Sequence, residues 1–186
     1  SKSNGKIIKA NFNLKNPLEN SFIDEKINEL TLINSEISTN FSPIKKNTNI
    51  SGKYSLNKDK FLSFDLKNTI EGELFNLILK ADYQKPIKLD LINYKKNKED
   101  IANIFINLDK QKDSFKIREL GLTEGKNTIL VENILFKKNK FFSLKKISVK
   151  TNKDGKKNND FSVLYEKKIL IKGTQFAASN LPKILN

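Results

Sequence analysis

The residues of this 186-residue chain that have the means to do chemistry do not converge. Histidine and cysteine are both absent. That removes the commonest general base, the centre of a nucleophilic triad, the commonest metal ligand, and all thiolate and disulfide chemistry. Glu71 and Glu73 stand two apart, so on a strand they share one face and point together to solvent. Gly121 and Gly125-Lys126 fail as a phosphate loop: three residues separate the glycines, no Ser or Thr follows the lysine, and no helix is predicted there. Asp154-Gly155 with Asn158 and Asp160 has the wrong spacing for a calcium loop. Lys153, Lys156 and Lys157 would also repel the cation, so a turn is predicted instead. Tyr54, Tyr83, Tyr94 and Tyr165 have the shape to stack bases or rim a lipid groove, and edge-of-core tyrosine is their ordinary use. The sequence predicts no catalytic residues, no metal and no cofactor.

The formal charge of +14 raises a nucleic-acid reading. Two features oppose it. Base-edge and phosphate readers lean on the bidentate guanidinium fork, and this chain has one arginine, Arg118. The lysines form no single stripe. They sit in small groups at predicted turns: Lys45-Lys46, Lys95-Lys96 with Lys98, Lys137-Lys138 with Lys140, Lys145-Lys146, Lys156-Lys157 and Lys167-Lys168. Lysine at turns and sheet edges also guards against edge-to-edge aggregation. A solvated rim is expected, with no nucleic-acid partner. The crowding of Lys, Asn, Ile and Phe is also what an AT-rich genome encodes. Methionine is absent, so residues 1–186 read as a single all-β segment of a longer protein. There is no apolar run near the ~20 residues that a membrane-spanning helix needs, and no signal-peptide core.

What must position any functional residue is a set of strands. The stretch Ile70 to Tyr94 sets the pattern. Ile70, Gly72 and Leu74 alternate, then Leu77, Leu79, Ala81 and Tyr83 after a one-residue slip at Phe75, where a bulge is expected. Gln84-Lys85-Pro86 breaks the run, and Ile87, Leu89 and Leu91 resume it. Glu71, Glu73, Asn76, Lys80, Asp82, Lys88 and Asp90 fall on the other face. Period two means one apolar and one wet face, so two long neighbouring strands are predicted.

The same beat runs from end to end. Ile8 to Leu14 alternates and stops at Asn16-Pro17. Leu18 to Glu25 is compatible with a helical stripe or an irregular strand, with strand favoured from about Lys26. Short strands follow at Ile37 to Pro43, Ile50 to Leu56 and Phe61 to Leu66. After the charged loop Asn93 to Asp100 come Ala102 to Leu108, Phe115 to Leu122, Ile129 to Phe136, Phe142 to Val149, Phe161 to Tyr165 and Ile169 to Gly173. The gaps between them have hairpin length. Asn180-Leu181-Pro182 is placed to open a helix over residues 180–186.

Two weak repeats run through these strands. Apolar residues at positions 1, 4 and 6 recur as Ile27/Leu30/Leu32, Phe61/Phe64/Leu66, Ile117/Leu120/Leu122, Val131/Ile134/Phe136 and Leu144/Ile147/Val149. The last three are nearly evenly spaced, as a stacked meander requires. Ile-x-Gly recurs at Ile50-Ser51-Gly52, Ile70-Glu71-Gly72 and Ile171-Lys172-Gly173, and glycine inside a strand marks a bend or a close backbone approach.

Alternating strands with a Lys/Asp-rich outer face, the Ile-x-Gly starts and the closing stretch Lys172 to Leu181, KGTQFAASNL, together resemble the AsmA-like superfamily. The likeness is to its long periplasmic members such as YhdP and TamB. It is one of texture over most of the chain and includes no catalytic motif. It implies a long curled sheet with an apolar groove, which carries phospholipid toward the outer membrane of Gram-negative bacteria. It also implies a periplasmic location and one inner-membrane anchor outside these residues.

The fold expected is therefore all-β, an antiparallel meander in a curved or curled sheet with an apolar inner face. With no amphipathic helices, that face must be covered by another sheet, by the sheet curling over, or by a ligand. If by an acyl-chain lipid, the predicted lining is Leu74, Leu77, Leu79, Ala81, Leu89, Leu91, Ile104 and Ile106, with Lys80 or Lys95 at the rim near phosphate. A sealed β-sandwich adhesion or surface-layer module would use the same residues as core. A transmembrane barrel is disfavoured by the absence of Trp and of aromatic girdles.

Overall fold

Alternation without helical stripes leaves each segment one way to bury its apolar side, which is to pair with its neighbour across a short turn. The computed structural model describes residues 1–20, 23–165 and 168–177, and in them the chain pairs in this way from end to end. The strands are β1 (Lys2–Asn20), β2 (Ile23–Phe41), β3 (Lys45–Leu56), β4 (Leu62–Glu71), β5 (Leu74–Tyr83), β6 (Ile87–Leu89), β7 (Tyr94–Lys96), β8 (Ala102–Gln111), β9 (Ser114–Glu124), β10 (Asn127–Lys137), β11 (Lys140–Lys153), β12 (Lys156–Tyr165) and β13 (Ile169–Gln175). Eleven of them form one antiparallel sheet in the order β1-β2-β3-β4-β5-β8-β9-β10-β11-β12-β13. β1 and β13 are its two edges, so the sheet is not closed. β6 and β7 make a separate two-stranded ribbon. No helix among the described residues is long and apolar enough to cross a membrane.

The all-β meander predicted from alternation is therefore found, and its turns fall where turn chemistry put them. Lys138-Asn139 has positive φ at both central positions, the geometry that joins twisted strands in a two-residue hairpin, and Asn57-Lys58 has the same φ signs at the start of the longer connection between Leu56 and Leu62. Asp154-Gly155 and Gly125-Lys126 are also hairpin turns, so the strands on either side of Asp154-Gly155 extend further than the loop expected over Asn152 to Asp160.

Several boundaries differ. The slip at Leu74–Phe75 is not a bulge. Gly72 has φ +56° and makes a hairpin turn with Glu73, so β4 and β5 are separate strands paired without irregularity. Ile87 to Leu91 is not a second long strand. It is the three-residue β6 running into a 3-10 turn, Asp90–Ile92. β1 does not stop at Asn16-Pro17 but continues to Asn20, with its register shifted between Asn13 and Leu18. Proline is tolerated there because β1 is an edge and the pairing is already irregular. Lys26 to Pro43, expected as two pieces, is covered up to Phe41 by the one strand β2, bulged near Asn34, where φ is +48°. The helix start expected over 180–186 and the turn residue Lys167 lie outside the described residues.

The repeats acquire a physical meaning in the sheet. Ile117, Ile134 and Leu144 pair side by side, and Leu120, Val131 and Ile147 do the same. The spacing of three arises because one irregular row crosses the strands. β9 gains a residue against β8 next to Arg118, and Asn133 of β10 has φ +53°. The three copies are one aligned defect. Of the Ile-x-Gly glycines, Gly52 and Gly173 lie where backbones approach closely. A Cβ on Gly52 would sit 2.3 Å from the Oγ and 2.6 Å from the Cα of Ser35, on the bulge of β2. Because the obstacle is backbone, Gly52→Ala is expected to cost about 1–3 kcal/mol. The urea midpoint reads this out, and an unchanged midpoint would mean that β2 and β3 part freely.

Candidate functional site

Registers decide which side chains share a face. Row by row, Ile50, Leu66, Leu79, Ile106, Leu120, Val131, Ile147, Val163 and Ile171 stand opposite one another from β3 to β13. The next row on the same face runs Phe64, Ala81, Ile104, Leu122, Ile129, Val149 and Phe161, closed by Gly52 and Gly173. Both rows cross nine strands without one charged or polar side chain. The opposite face is mixed: the row Asp65, Lys80, Phe105, Gly121, Leu130, Ser148, Ser162 and Lys172 is typical.

Five of the eight predicted lining residues meet on the apolar face. Leu77, Leu79 and Ala81 lie on β5, and Ile104 and Ile106 pair beside Ala81 and Leu79. The other three are elsewhere. Leu74 pairs with Glu71 next to the Gly72–Glu73 turn, and alternation puts it on the mixed face with Asn76, Ile78 and Lys80. Leu89 and Leu91 belong to the insert between β5 and β8, Leu91 being 52 % exposed. The residues that the predicted lining leaves out, such as Phe64, Leu66, Leu122, Val131 and Val163, carry the same alternation. What is missing from the sequence is the register that aligns one strand's beat with the next.

The insert, residues 84–101, covers one end of the apolar face. Ile87, Ile92 and Tyr94 from the insert cluster with Tyr83, Val149 and Phe161 from the sheet, and Leu56, Leu122 and Ile129 pack around them. Polar contacts fasten it at both ends. On one side the Lys85 ammonium, almost fully buried, pairs with Glu25 at 2.8 Å and with Asp59. Burial alone pushes Lys85 down, but the hydrogen bonds to Asp59 and Glu25 outweigh it and hold its pKa above the ordinary lysine value. The bond from Lys85 likewise holds the Glu25 carboxyl below its ordinary range. On the other side Asn159 Nδ2 donates to the Ile92 carbonyl at 2.7 Å, and the Tyr94 hydroxyl donates to Glu124 at 3.0 Å.

Within the insert, Lys96 is fully buried, and its Nζ donates to the carbonyls of Gln84, Lys85 and Asn97 at 2.9, 3.1 and 2.9 Å. Burial pushes its pKa down, against the pull of Asp100, Glu124 and Glu99. Three carbonyl acceptors and no carboxylate on the ammonium make it a structural tie that gathers both ends of the loop. No group of three or more potential metal ligands occurs among the described residues.

Chemically, then, the molecule offers a long apolar strip, plugged at one end and bare of polar groups, with the charged residues on the other face and at the rims. No family model, no characterised protein and no solved structure matches this chain.

Proposed function

We propose that this chain is a segment of an AsmA-like envelope protein whose apolar sheet face carries or shields phospholipid between the inner and outer membranes. In this reading it is not an enzyme, it lies in the periplasm, and its membrane anchor is outside these residues. The observation that carries the proposal is the pair of unbroken apolar rows across nine strands. At ~4.8 Å per strand such a row is roughly 38 Å long. An acyl chain, about half of a ~30 Å hydrocarbon core, would lie along three or four strands of it. Each methylene that leaves water contributes about 0.8 kcal/mol, so one chain binds firmly without any polar site.

A curled sheet with this face inward fits the way the insert is held. Lys85 reaches β2 and the β3–β4 turn, while Ile92 is bonded to β12. The backbone from Lys85 to Ile92 spans only about 20 Å through β6 and its 3-10 turn. In a flat sheet β2 and β12 would be roughly 38 Å apart at ~4.8 Å per strand. In this reading side-chain length and a bend of the sheet together make up the difference. The sealed-sandwich alternative draws on the insert's cluster, but it needs a second sheet of comparable width. The described residues supply a ribbon of two three-residue strands.

Leu79 tests the reading. It is partly buried and lies outside the insert's cluster, on β5 in the first of the two rows. Leu79→Asp is expected to leave the fold intact by circular dichroism while the phospholipid recovered with the purified chain falls at least about tenfold, as expected when several buried methylenes lose contact. A photo-crosslinker at the same position in the otherwise unaltered chain is expected to label lipid, in a manner insensitive to salt. A wild-type chain that yields no lipid and no crosslink would sink the proposal, and DNA binding that falls steeply with salt would favour the nucleic-acid reading instead.

A further inference from the structure

In an antiparallel meander alternate turns fall on the same rim, and here the two rims differ. One holds the insert with its buried lysines and paired carboxylates. The other gathers the tips β2–β3, β4–β5, β8–β9 and β10–β11. On this rim large apolar side chains stand in solvent: Phe142 is 56 % exposed, Phe141 53 % and Ile44 74 %. Lysine charge sits directly against them. Lys137 Nζ is 3.9 Å from the centre of the Phe142 ring, and at another tip Lys46 Nζ is 5.3 Å from that of Phe41. The carboxylates of Glu71 and Glu73 on this rim are occupied by Lys45 and Lys112, at 3.1 and 3.2 Å. Lys137, Lys138 and Lys140 have no carboxylate partner among the described residues. From this tip a ladder of rings, Phe141 to Phe136 and Phe115 on one side and to Tyr165 on the other, steps across the strands at 6.2, 6.2 and 5.9 Å. Lysine by itself is a solvated rim, as the sequence predicts. Phenylalanine held out beside it is not explained by solubility or by aggregation control, both of which disfavour it.

We propose that this rim docks on the surface of an anionic phospholipid membrane. Phe142, Phe141 and Ile44 enter the boundary between headgroups and acyl chains, and Lys137, Lys138 and Lys140 lie at the lipid phosphates. An aromatic body with a cationic neighbour suits that boundary, apolar on one side and negatively charged on the other. Free phosphate would explain the lysines but not the rings, and an acidic protein would leave the rings without acyl chains to enter. The proposal deepens the lipid reading above, since a trough that takes up or delivers phospholipid needs contact with a bilayer. The two are separable. Lining is read from lipid retained on the purified chain, docking from association with vesicles.

The chain has no tryptophan, so Phe142→Trp supplies a single fluorescent reporter at the tip, and Leu91→Trp supplies one on the opposite rim. Both sites are exposed and tolerate the larger ring. With phosphatidylglycerol vesicles the Phe142→Trp emission is expected to shift to the blue and to be quenched by brominated acyl chains. The Leu91→Trp emission is expected to do neither. Replacing Lys137, Lys138 and Lys140 together by Glu should weaken co-sedimentation with these vesicles at least about tenfold, and phosphatidylcholine vesicles should bind weakly throughout. Co-sedimentation of the unaltered chain provides the same reading free of any folding defect. An unshifted Phe142→Trp spectrum, equal quenching at Leu91→Trp, or undiminished binding after charge reversal would overturn the proposal. So would rim binding to polyglutamate without vesicle association, which would place an acidic protein there.

Discussion

Val149→Asp is expected to abolish the fold. Val149 is 2 % exposed and stands between Ile129 and Phe161 on the apolar face, under the insert's Ile92 and Tyr94. A carboxylate placed there meets no cation in its cluster and only the Tyr83 and Tyr94 hydroxyls as donors, and taking it from water costs several kcal/mol even after it accepts a proton. Total stability of about 5–15 kcal/mol leaves little room for that and for the lost packing together. The strand signal in far-ultraviolet circular dichroism at neutral pH should be missing or melt far below that of the wild type, whereas Val149→Ala should stay folded and lose about 2 kcal/mol. Together with a folded Leu79→Asp, this outcome would divide the apolar face into a sealed end under the insert and an open run beyond it. A Val149→Asp chain with the wild-type melting point would mean that the insert does not exclude water.

The second large effect is expected at Lys96→Met. Methionine fills the same stem volume but removes the ammonium that ties the carbonyls of Gln84, Lys85 and Asn97. Each buried acceptor left without a donor costs about 1–3 kcal/mol, and some recover by letting water in. The loss expected is about 3 kcal/mol in all, drawn from the same range. It should be local. Backbone amides of β6 and β7 should exchange hydrogen much faster, and proteases should cut within residues 84–101, while the amides of β9 and β10 keep their protection. Uniform loss of protection across the large sheet would show instead that the insert is needed for the whole fold.

The strands are legible because each carries its own beat. Alternation of this kind needs no partner to be read: Ile104, Ile106 and Leu108 announce β8, and Ile129 and Val131 announce β10. Turns are legible where their residues accept positive φ, as at Asn57-Lys58, Lys138-Asn139 and Gly125. At Gly72 the same signal is present but reads as part of a strand, because Ile70, Gly72 and Leu74 keep the period across a two-residue turn. A two-residue turn shifts the count by one, so that Ile70 faces Phe75, and a one-residue bulge shifts it by the same amount, so alternation by itself cannot separate one bulged strand from a hairpin.

Ile87, Leu89 and Leu91 mislead for a related reason. Alternation records which side chains are buried, and Ile87 and Ile92 are buried, but against the face of the large sheet instead of within a long strand. Lys85 and Lys96 give no sign in the sequence that they are buried, since lysine lies at the surface by default and only carboxylates and carbonyls brought from distant segments reverse that. The partners of Lys85, Glu25 and Asp59, come from β2 and the β3–β4 turn, beyond the reach of any local pattern.

What the sequence by itself determined is the class of fold and the existence of an apolar face, because side-chain alternation is a property of each strand and hairpin length a property of each gap. The tertiary structure alone decided which apolar residues stand together. Leu79, Ile106 and Val131 become one row, and Leu74 leaves it, through the hydrogen-bond register between strands. A shift of one residue would send every side chain of a strand to the other face. That register is fixed by where each turn closes and where each bulge falls, and the shape of the face then follows from contacts between residues far apart in the chain.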